Sequence, residues 1–231
     1  VSTNIIESHT GAEISDSGTE VISHAKNTDA ATKVKDGLDH DKLYNAPLTV
    51  GTLTGLDGLA AGRKENAYRG IAVSASATHT ANSFIAKGVV HPYARGAGVG
   101  ASVAGTVNTN VVGGSTTARI VNATAKADGA DVSVRADDAT NSGALVGTIS
   151  VAGEGAAVGT GSSINLINRT TEAEAVRSII TAKNAAIAAR SAQGIAALTA
   201  GFSFADELSV ANSNNFVRME QKTRAALKNS T

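Results

Sequence analysis

The sequence predicts an all-β protein folded as a parallel β-helix, a solenoid of stacked coils, and three observations support this fold class. Only 3% of the 231 residues are aromatic and none is Trp, whereas Gly, Ala and β-branched residues are abundant. Such residues suit a narrow interior better than the wide core of a globule. Related segments recur at intervals of about 50 residues. Within each segment, apolar and polar residues alternate between Gly, Asn and Asp turns.

The first recurring element is glycine-rich. Residues 96–105 read GAGVGASVAG and residues 143–153 read GALVGTISVAG, so both end in SVAG. A looser copy at 194–205 reads GIAALTAGFSFA, in which Phe202 and Phe204 take the places of Ile149 and Val151. Turn lengths vary between copies while the order of strands is kept, which is typical of diverging solenoid repeats.

Two further elements complete the repeat. TTARI at 116–120 returns as TEAEA at 171–175 and TRAAL at 223–227. Residues 127–136 match 182–191, an alignment that places Val132 on Ile187 and Arg135 on Arg190. A unit of this length suits two to two and a half coils of about twenty residues each. The chain would then form a rod of about eight coils, roughly 35–40 Å long.

Alternation within the strands predicts which side chains line the core. Residues 182–200 are Ala-rich and would be helical by propensity alone. Their repeat partner, 127–146, is a poor helix former, so we assign strands to both; residues 216–228 fit either structure. Seven residues are expected to face a common narrow core: Val132, Val134, Ile149, Val151, Ile187, Phe202 and Phe204.

The repeat is interrupted once. Residues 1–27 resemble a partial repeat, and residues 67–231 continue the repeats and end within one. Residues 28–66 are charged and hold Pro47, so we expect an insertion that projects from the solenoid. The chain begins with Val, and we interpret it as a fragment of a longer protein.

The insertion supplies the candidate binding site. A repeated stalk offers similar surfaces along its length, so recognition is expected where the repeat is broken. Carboxylates can hold a cation or a sugar hydroxyl, and Tyr offers a broad contact surface. The competing interpretation is a decorative loop with an exposed acidic turn. The candidate residues are Asp36, Asp39, His40, Asp41 and Tyr44.

Composition argues against several classes of protein. Twenty basic and twenty acidic residues cancel, and no basic run appears, so neither nucleic acid nor a membrane is an expected partner. No apolar run approaches the roughly twenty residues of a membrane span. There is no Cys, and the five His residues form no ligand motif, so we expect no metal, cofactor or disulfide.

An acid–base site is the main catalytic alternative. Asp137 and Asp138 are adjacent, and Arg135 and Arg190 would stack one repeat apart, but isolated carboxylates need a pocket to shift their pKa. We expect a solvated turn there and no enzymatic activity. Asparagines cluster at equivalent places and predict amide ladders that stack from coil to coil in turns: Asn108, Asn110, Asn165, Asn168, Asn214 and Asn215.

The repeats resemble those of leukotoxin-type filamentous adhesins of anaerobic bacteria, which are passengers of two-partner secretion similar to filamentous haemagglutinin. The resemblance rests on DVSVRA at 131–136, on 143–153, and on GAAVGTGSSINLIN at 155–168 with the TTEA that follows. It covers 96–228 well and 1–27 loosely, while 28–66 has no counterpart. The resemblance implies a right-handed β-helix, export through an outer-membrane partner, and adhesion. It supplies no catalytic residue.

Three functions remain open at this point. The leading one is a stalk or fibre segment of a secreted bacterial surface adhesin that attaches to host or bacterial cells, with glycans as candidate ligands. The second is a subunit of an extracellular filament that associates end to end or laterally with copies of itself. The third is a carbohydrate-active β-helix enzyme.

Overall fold

The computed structural model describes residues 1–25, 32–38, 63–91, 100–153 and 155–231, and these residues contain strands and turns but no helix. The strands are β1 (Ser2–Ser15), β2 (Glu20–Ser23), β3 (Thr32–Leu38), β4 (Arg63–Tyr68), β5 (Gly70–His91), β6 (Gly100–Val121), β7 (Thr124–Ala127), β8 (Asp131–Ala152), β9 (Gly155–Val176), β10 (Ile179–Thr181), β11 (Asn184–Phe204) and β12 (Leu208–Lys228).

Ten of these strands form three parallel sheets. Sheet I has the order β1-β6-β9-β12, sheet II the order β5-β8-β11, and sheet III the order β2-β7-β10. Along the chain, β6 in sheet I is followed by β7 in sheet III and β8 in sheet II, and β9, β10 and β11 repeat this path. The predicted all-β fold with parallel stacked coils is therefore confirmed.

Each sequence repeat is one wide coil. Gly100 lies beside Gly155, and Asp131 lies beside Asn184, so neighbouring coils are offset by 55 and 53 residues. The prediction of two or more coils per repeat is wrong, because glycines that suggested corners lie inside strands of 21 or 22 residues. Four strands of sheet I, spaced about 4.8 Å apart, extend only about 14 Å along the axis.

The stacking of the strands confirms the alignment of the second repeat element and part of the alignment of the first. Thr116, Thr171 and Thr223 stack in one column, as the second element predicted. Phe202 lies beside Ile149 and Phe204 beside Val151. The described residues 100–105 of the first copy, however, lie in sheet I, whereas residues 143–152 of its counterpart lie in sheet II.

The alignment of the third element is wrong by two residues. Ile187 lies beside Val134 instead of Val132, and Arg190 lies beside Asp137 instead of Arg135. The cause is a connection into β11 that is two residues shorter than the one into β8. The strand assignment itself is confirmed, since residues 184–204 and 208–228 are extended throughout.

The predicted core is correct near sheet III and wrong at the far end of sheet II. Val132 and Val134 are buried, while Val151 and Ile187 are half-buried. Ile149, Phe202 and Phe204 face outward and are 48%, 53% and 58% exposed. Their neighbours Thr148 and Ser150 are buried instead, because the gap between the two long sheets is filled there by small side chains.

The described strands β3 and β4 in and beside the predicted insertion form a two-stranded sheet of their own, and β3 contacts β5 and β8 of sheet II. β3 and β4 pair with each other in antiparallel fashion, with Lys35 beside Glu65, and join none of the parallel sheets. At the end of β4, the Tyr68 hydroxyl donates to the Ile71 carbonyl at 3.0 Å and so ties this strand to β5. The remaining residues of 28–66 lie outside the described residues.

Candidate functional site

The predicted binding residues are only partly covered by the structure. Asp36 lies in β3, Thr32–Leu38. Asp39, His40, Asp41 and Tyr44 lie outside the described residues. The proposed role of these five residues therefore stays a prediction.

A charged pair lies at the centre of the solenoid. Arg169 comes from β9 in sheet I and Asp138 from β8 in sheet II, and both side chains are fully buried. The Arg169 Nη2 and Nε groups donate to the Asp138 Oδ2 atom, the latter at 3.2 Å. A buried charge is tolerated only when it is paired and hydrogen-bonded, so each residue requires the other.

Polar side chains from both long sheets complete this pair. The hydroxyls of Thr116 and Thr140 each donate to the Asp138 carboxylate at 2.9 Å. His79 Nε2 lies 2.9 Å from Arg169 Nη2. A guanidinium can only donate, so His79 must accept and is neutral, with its proton on Nδ1. Burial and the nearby Arg169 charge lower the pKa of His79, while Asp138 opposes this shift.

A glycine pair makes room for Arg169. Its Nη1 group donates to the carbonyls of Gly113 at 2.8 Å and of Ser8 at 3.0 Å. Gly114 lies between Ser8 and Arg169 in the sheet and has a φ of 121°. A Cβ atom on Gly114 would lie 1.9 Å from the Ser8 carbonyl oxygen and 2.7 Å from Arg169 Nη1. Only glycine fits this position.

The structure corrects the expectation of a solvated turn at Asp137 and Asp138. Both residues are buried within β8. Asp138 faces Arg169 in the interior, whereas Asp137, one residue earlier, faces the other side of the strand and pairs with Arg135 at 3.0 Å. Two carboxylates on opposite sides of a strand do not form the facing pair that glycoside hydrolysis uses.

Of the six asparagines predicted to form amide ladders, only Asn110 and Asn165 stack on each other, and they lie in the interior instead of the turns. Asn4 Nδ2 donates to Asn110 Oδ1 at 2.9 Å, and Asn110 Nδ2 donates to Asn165 Oδ1 at 2.9 Å. The three amides come from successive strands of sheet I, and Asn110 and Asn165 are fully buried. Asn168 and Asn214, which were expected to take part, are exposed instead.

Opposite charges also stack on the outer face of sheet I. Glu172 on β9 accepts from Arg119 on β6 at 2.9 Å and from Lys222 on β12 at 3.0 Å. Glu174 pairs with Lys228 at 2.9 Å. The hydrogen bond from Lys222, aided by Arg119, holds the pKa of Glu172 below its usual value against the opposing effect of burial.

The outer face of sheet II is apolar at the end remote from sheet III. We call its twelve outward positions the apolar face: Phe84, Ala86, Gly88 and Val90 on β5; Leu145, Gly147, Ile149 and Val151 on β8; and Leu198, Ala200, Phe202 and Phe204 on β11. A pocket of about 250 Å³ opens on it, lined by Ala86, Lys87, Gly88, Gly147, Thr148, Ile149 and Phe202. Sequence reasoning placed Ile149, Val151, Phe202 and Phe204 in the core and so missed this surface.

Among the described residues, no three His, Cys, Asp or Glu side chains are grouped to hold a metal ion. Within the same ranges, no helix is long and apolar enough to cross a membrane. The polar clusters instead link side chains of successive coils and opposing sheets, so what they do chemically is to fix how the coils stack. Comparison with protein-family models, with curated proteins and with solved structures gives no match.

Proposed function

We propose that this chain is a structural segment of an extracellular fibre, the stiff stalk of a secreted bacterial surface adhesin that attaches to cells or surfaces. The observation that carries the proposal is the unbroken parallel stacking of 21- to 22-residue strands from coil to coil. Backbone hydrogen bonds of such sheets run along the solenoid axis, so tension along that axis is shared by many bonds at once.

The interior supports a mechanical role. The Asp138–Arg169 pair and the Asn4–Asn110–Asn165 ladder join different coils or opposing sheets. Each bond is made only when neighbouring coils are in register, because a slip by one residue would turn these polar groups to the other face. Buried polar contacts of this kind specify one arrangement over its competitors.

The repeat resemblance favours a stalk over a self-assembling filament, because it implies export and adhesion. The absence of Cys and the balanced charge are compatible with the exported adhesin that the repeat resemblance implies.

Single-molecule stretching tests the mechanical part. We expect discrete unfolding steps of about 18 nm, the extended length of one coil of roughly 53 residues. Asp128→Asn, which changes an exposed side chain paired with the exposed His24, serves as a control that should keep the step size. Continuous extension without steps would contradict a stalk of stacked coils.

Cell binding tests the adhesive part. The fluorescently labelled chain is compared with a variant in which Asp36, Asp39, His40, Asp41 and Tyr44 are replaced by Ala. A control variant replaces the exposed residues His24, Asp128 and Phe216. We expect the first variant alone to lose binding to cells or glycans while both keep the thermal midpoint of the native chain. Full binding by the first variant would place the adhesive surface elsewhere.

A further inference from the structure

We propose that the apolar face of sheet II is a lateral interface on which a second copy of this chain packs face to face. The face combines three strands in register, and its twelve outward positions carry no polar or charged side chain. Phe84, Phe202 and Phe204 on this face are 73%, 53% and 58% exposed. Contiguous apolar surface of this kind usually marks an interaction site.

The chemistry of the face favours a second copy over other partners. Membrane-surface contact uses Trp and Tyr together with Lys or Arg, and none of these occupies an outward position of the face. Carbohydrate sites set polar groups beside their aromatic rings to fix orientation, and these positions offer none. In an identical sheet, by contrast, the twelve outward positions bring no like charges together, and two such sheets pack about 10 Å apart, as in sandwiches of two sheets.

The relief of the face is self-complementary. Phe84 projects from the edge strand β5, and the pocket is lined by the small residues Ala86, Gly88 and Gly147 together with Lys87, Thr148, Ile149 and Phe202. A Cβ added to Gly88 would meet no atom within 4 Å, so the groove is open at this point. In a two-fold pair, Phe84 of each copy can enter the groove of the other, which is the reciprocal contact that such symmetry requires.

The area of the apolar face determines how tightly two copies are expected to bind each other. Three strands at about 4.8 Å and four alternate residues at about 6.7 Å span roughly 400 Å². A standard interface contributes about 800 Å² per partner, so a pair of these chains should be weak, with a dissociation constant on the order of 100 μM. A further coil would add a row to the face where it carries the same apolar outward residues, and lateral pairing would then strengthen with the number of such coils.

Sedimentation equilibrium of the whole chain, from about 10 μM to about 1 mM, tests the proposal. We expect a monomer–dimer equilibrium for the native chain. Gly147→Val should weaken dimerisation at least tenfold because it fills the groove, yet its Cβ meets nothing closer than 3.9 Å, so the fold is kept. Phe84→Ser should have the same effect. The control is Val103→Ser, since Val103 is equally exposed on the outer face of sheet I.

A native chain that stays monomeric at 1 mM would overturn the proposal, as would Gly147→Val and Phe84→Ser variants that dimerise as the native chain does. Uncharged lipid vesicles and an insoluble neutral polysaccharide are tested in parallel with the same variants. Binding of the monomer to either surface, lost in Phe84→Ser and kept in Val103→Ser, would assign the face to that partner and also overturn the second copy. Circular dichroism and thermal midpoints confirm that each variant is folded.

Discussion

Arg169 and Asp138 meet in the middle of the solenoid although they belong to opposing sheets, and the Arg169 Nε–Asp138 Oδ2 distance is 3.2 Å. The pair lies between two apolar clusters, one around Val132 and Ile120, the other around Val112 and Ile167. The interior is therefore divided along its width into apolar and polar zones. A polar zone can be satisfied in one register only, and this makes it a determinant of coil stacking.

Removing the charge of Asp138 should therefore destabilise the fold strongly. In Asp138→Asn, the guanidinium of Arg169 keeps its burial but loses its counter-charge, which typically costs about 3–5 kcal/mol. Urea denaturation at pH 7 measures the loss. Asp128→Asn is the control, because Asp128 is exposed and touches only the exposed His24. A cost for Asp138→Asn no larger than that of the control would show that the buried pair is dispensable.

The two glycines beside Arg169 should differ sharply in tolerance. Gly114→Ala forces a Cβ into the Ser8 carbonyl at a φ of 121°, so we expect the free energy of unfolding to fall by several kcal/mol. Gly113→Ala meets nothing nearer than 3.9 Å and should be neutral or slightly stabilising. Thermal denaturation of the two variants compares them directly, and equal midpoints would contradict the described path of β6.

The amide ladder predicts that Asn110→Ala costs more stability than Asn168→Ala. Asn110→Ala removes the amide that links the half-buried Asn4 to the buried Asn165, an effect worth about 1–3 kcal/mol. Asn168→Ala changes an exposed side chain of the neighbouring strand and should cost less than about 0.5 kcal/mol. Chemical denaturation distinguishes them. Comparable losses would mean that the ladder contributes nothing beyond strand propensity.

Sequence periodicity predicted the strands but not which face of each strand is buried. From Thr148 to Val151, the alternation allows either set of side chains to face the core. The larger side chains, Ile149 and Val151, were expected to do so. Ser150 instead faces Ser102 of sheet I, with 2.8 Å between the two hydroxyl oxygens, so the gap between the sheets is too narrow there for larger side chains. The width of the gap depends on the partner sheet, so it is absent from the pattern of one strand.

Arg169 could have been found from the sequence with the right register. The stacking of Thr116 on Thr171 was predicted, and it places Gly114 beside Arg169. Arg169 also alternates in phase with the buried Ile167 and Thr171. An arginine at an inward position opposite a glycine pair is the available signal, but the usual exposure of arginine outweighed it. The apolar face offered no such signal, since exposed phenylalanine contradicts the usual rule for burial.

Stability should fall in acid through two groups. The folded-state pKa of Glu172 is lowered from 4.5, so its contribution is complete above that value and is lost as pH falls through the lower folded pKa. The folded-state pKa of His79 is lowered from 6.5, so its contribution begins to fall below that pH, where only the unfolded chain binds the proton.

Thermal midpoints measured between pH 8 and pH 3 test whether stability is lost first through His79 and then through Glu172. His79→Gln, which can still accept from Arg169, should flatten the profile below about pH 6.5. Glu172→Gln should lower the midpoint at neutral pH and flatten the profile below about pH 4.5. A His79→Gln profile that parallels the native one over the upper range would show that His79 does not carry this dependence.

The assignment of inner and outer faces of β8 gives the last prediction. Val146 is fully buried between the long sheets, whereas Ile149, three residues later, is 48% exposed on the apolar face. Val146→Asp places a carboxylate in an apolar gap without a partner, so we expect a loss of several kcal/mol in urea denaturation. Ile149→Asp should change the free energy of unfolding by less than about 1 kcal/mol, because water reaches that side chain. The same substitution should abolish lateral pairing, since two like charges would then face each other across the interface. The reverse order of stabilities would invert the faces of β8, return Ile149 to the core, and remove the apolar face altogether.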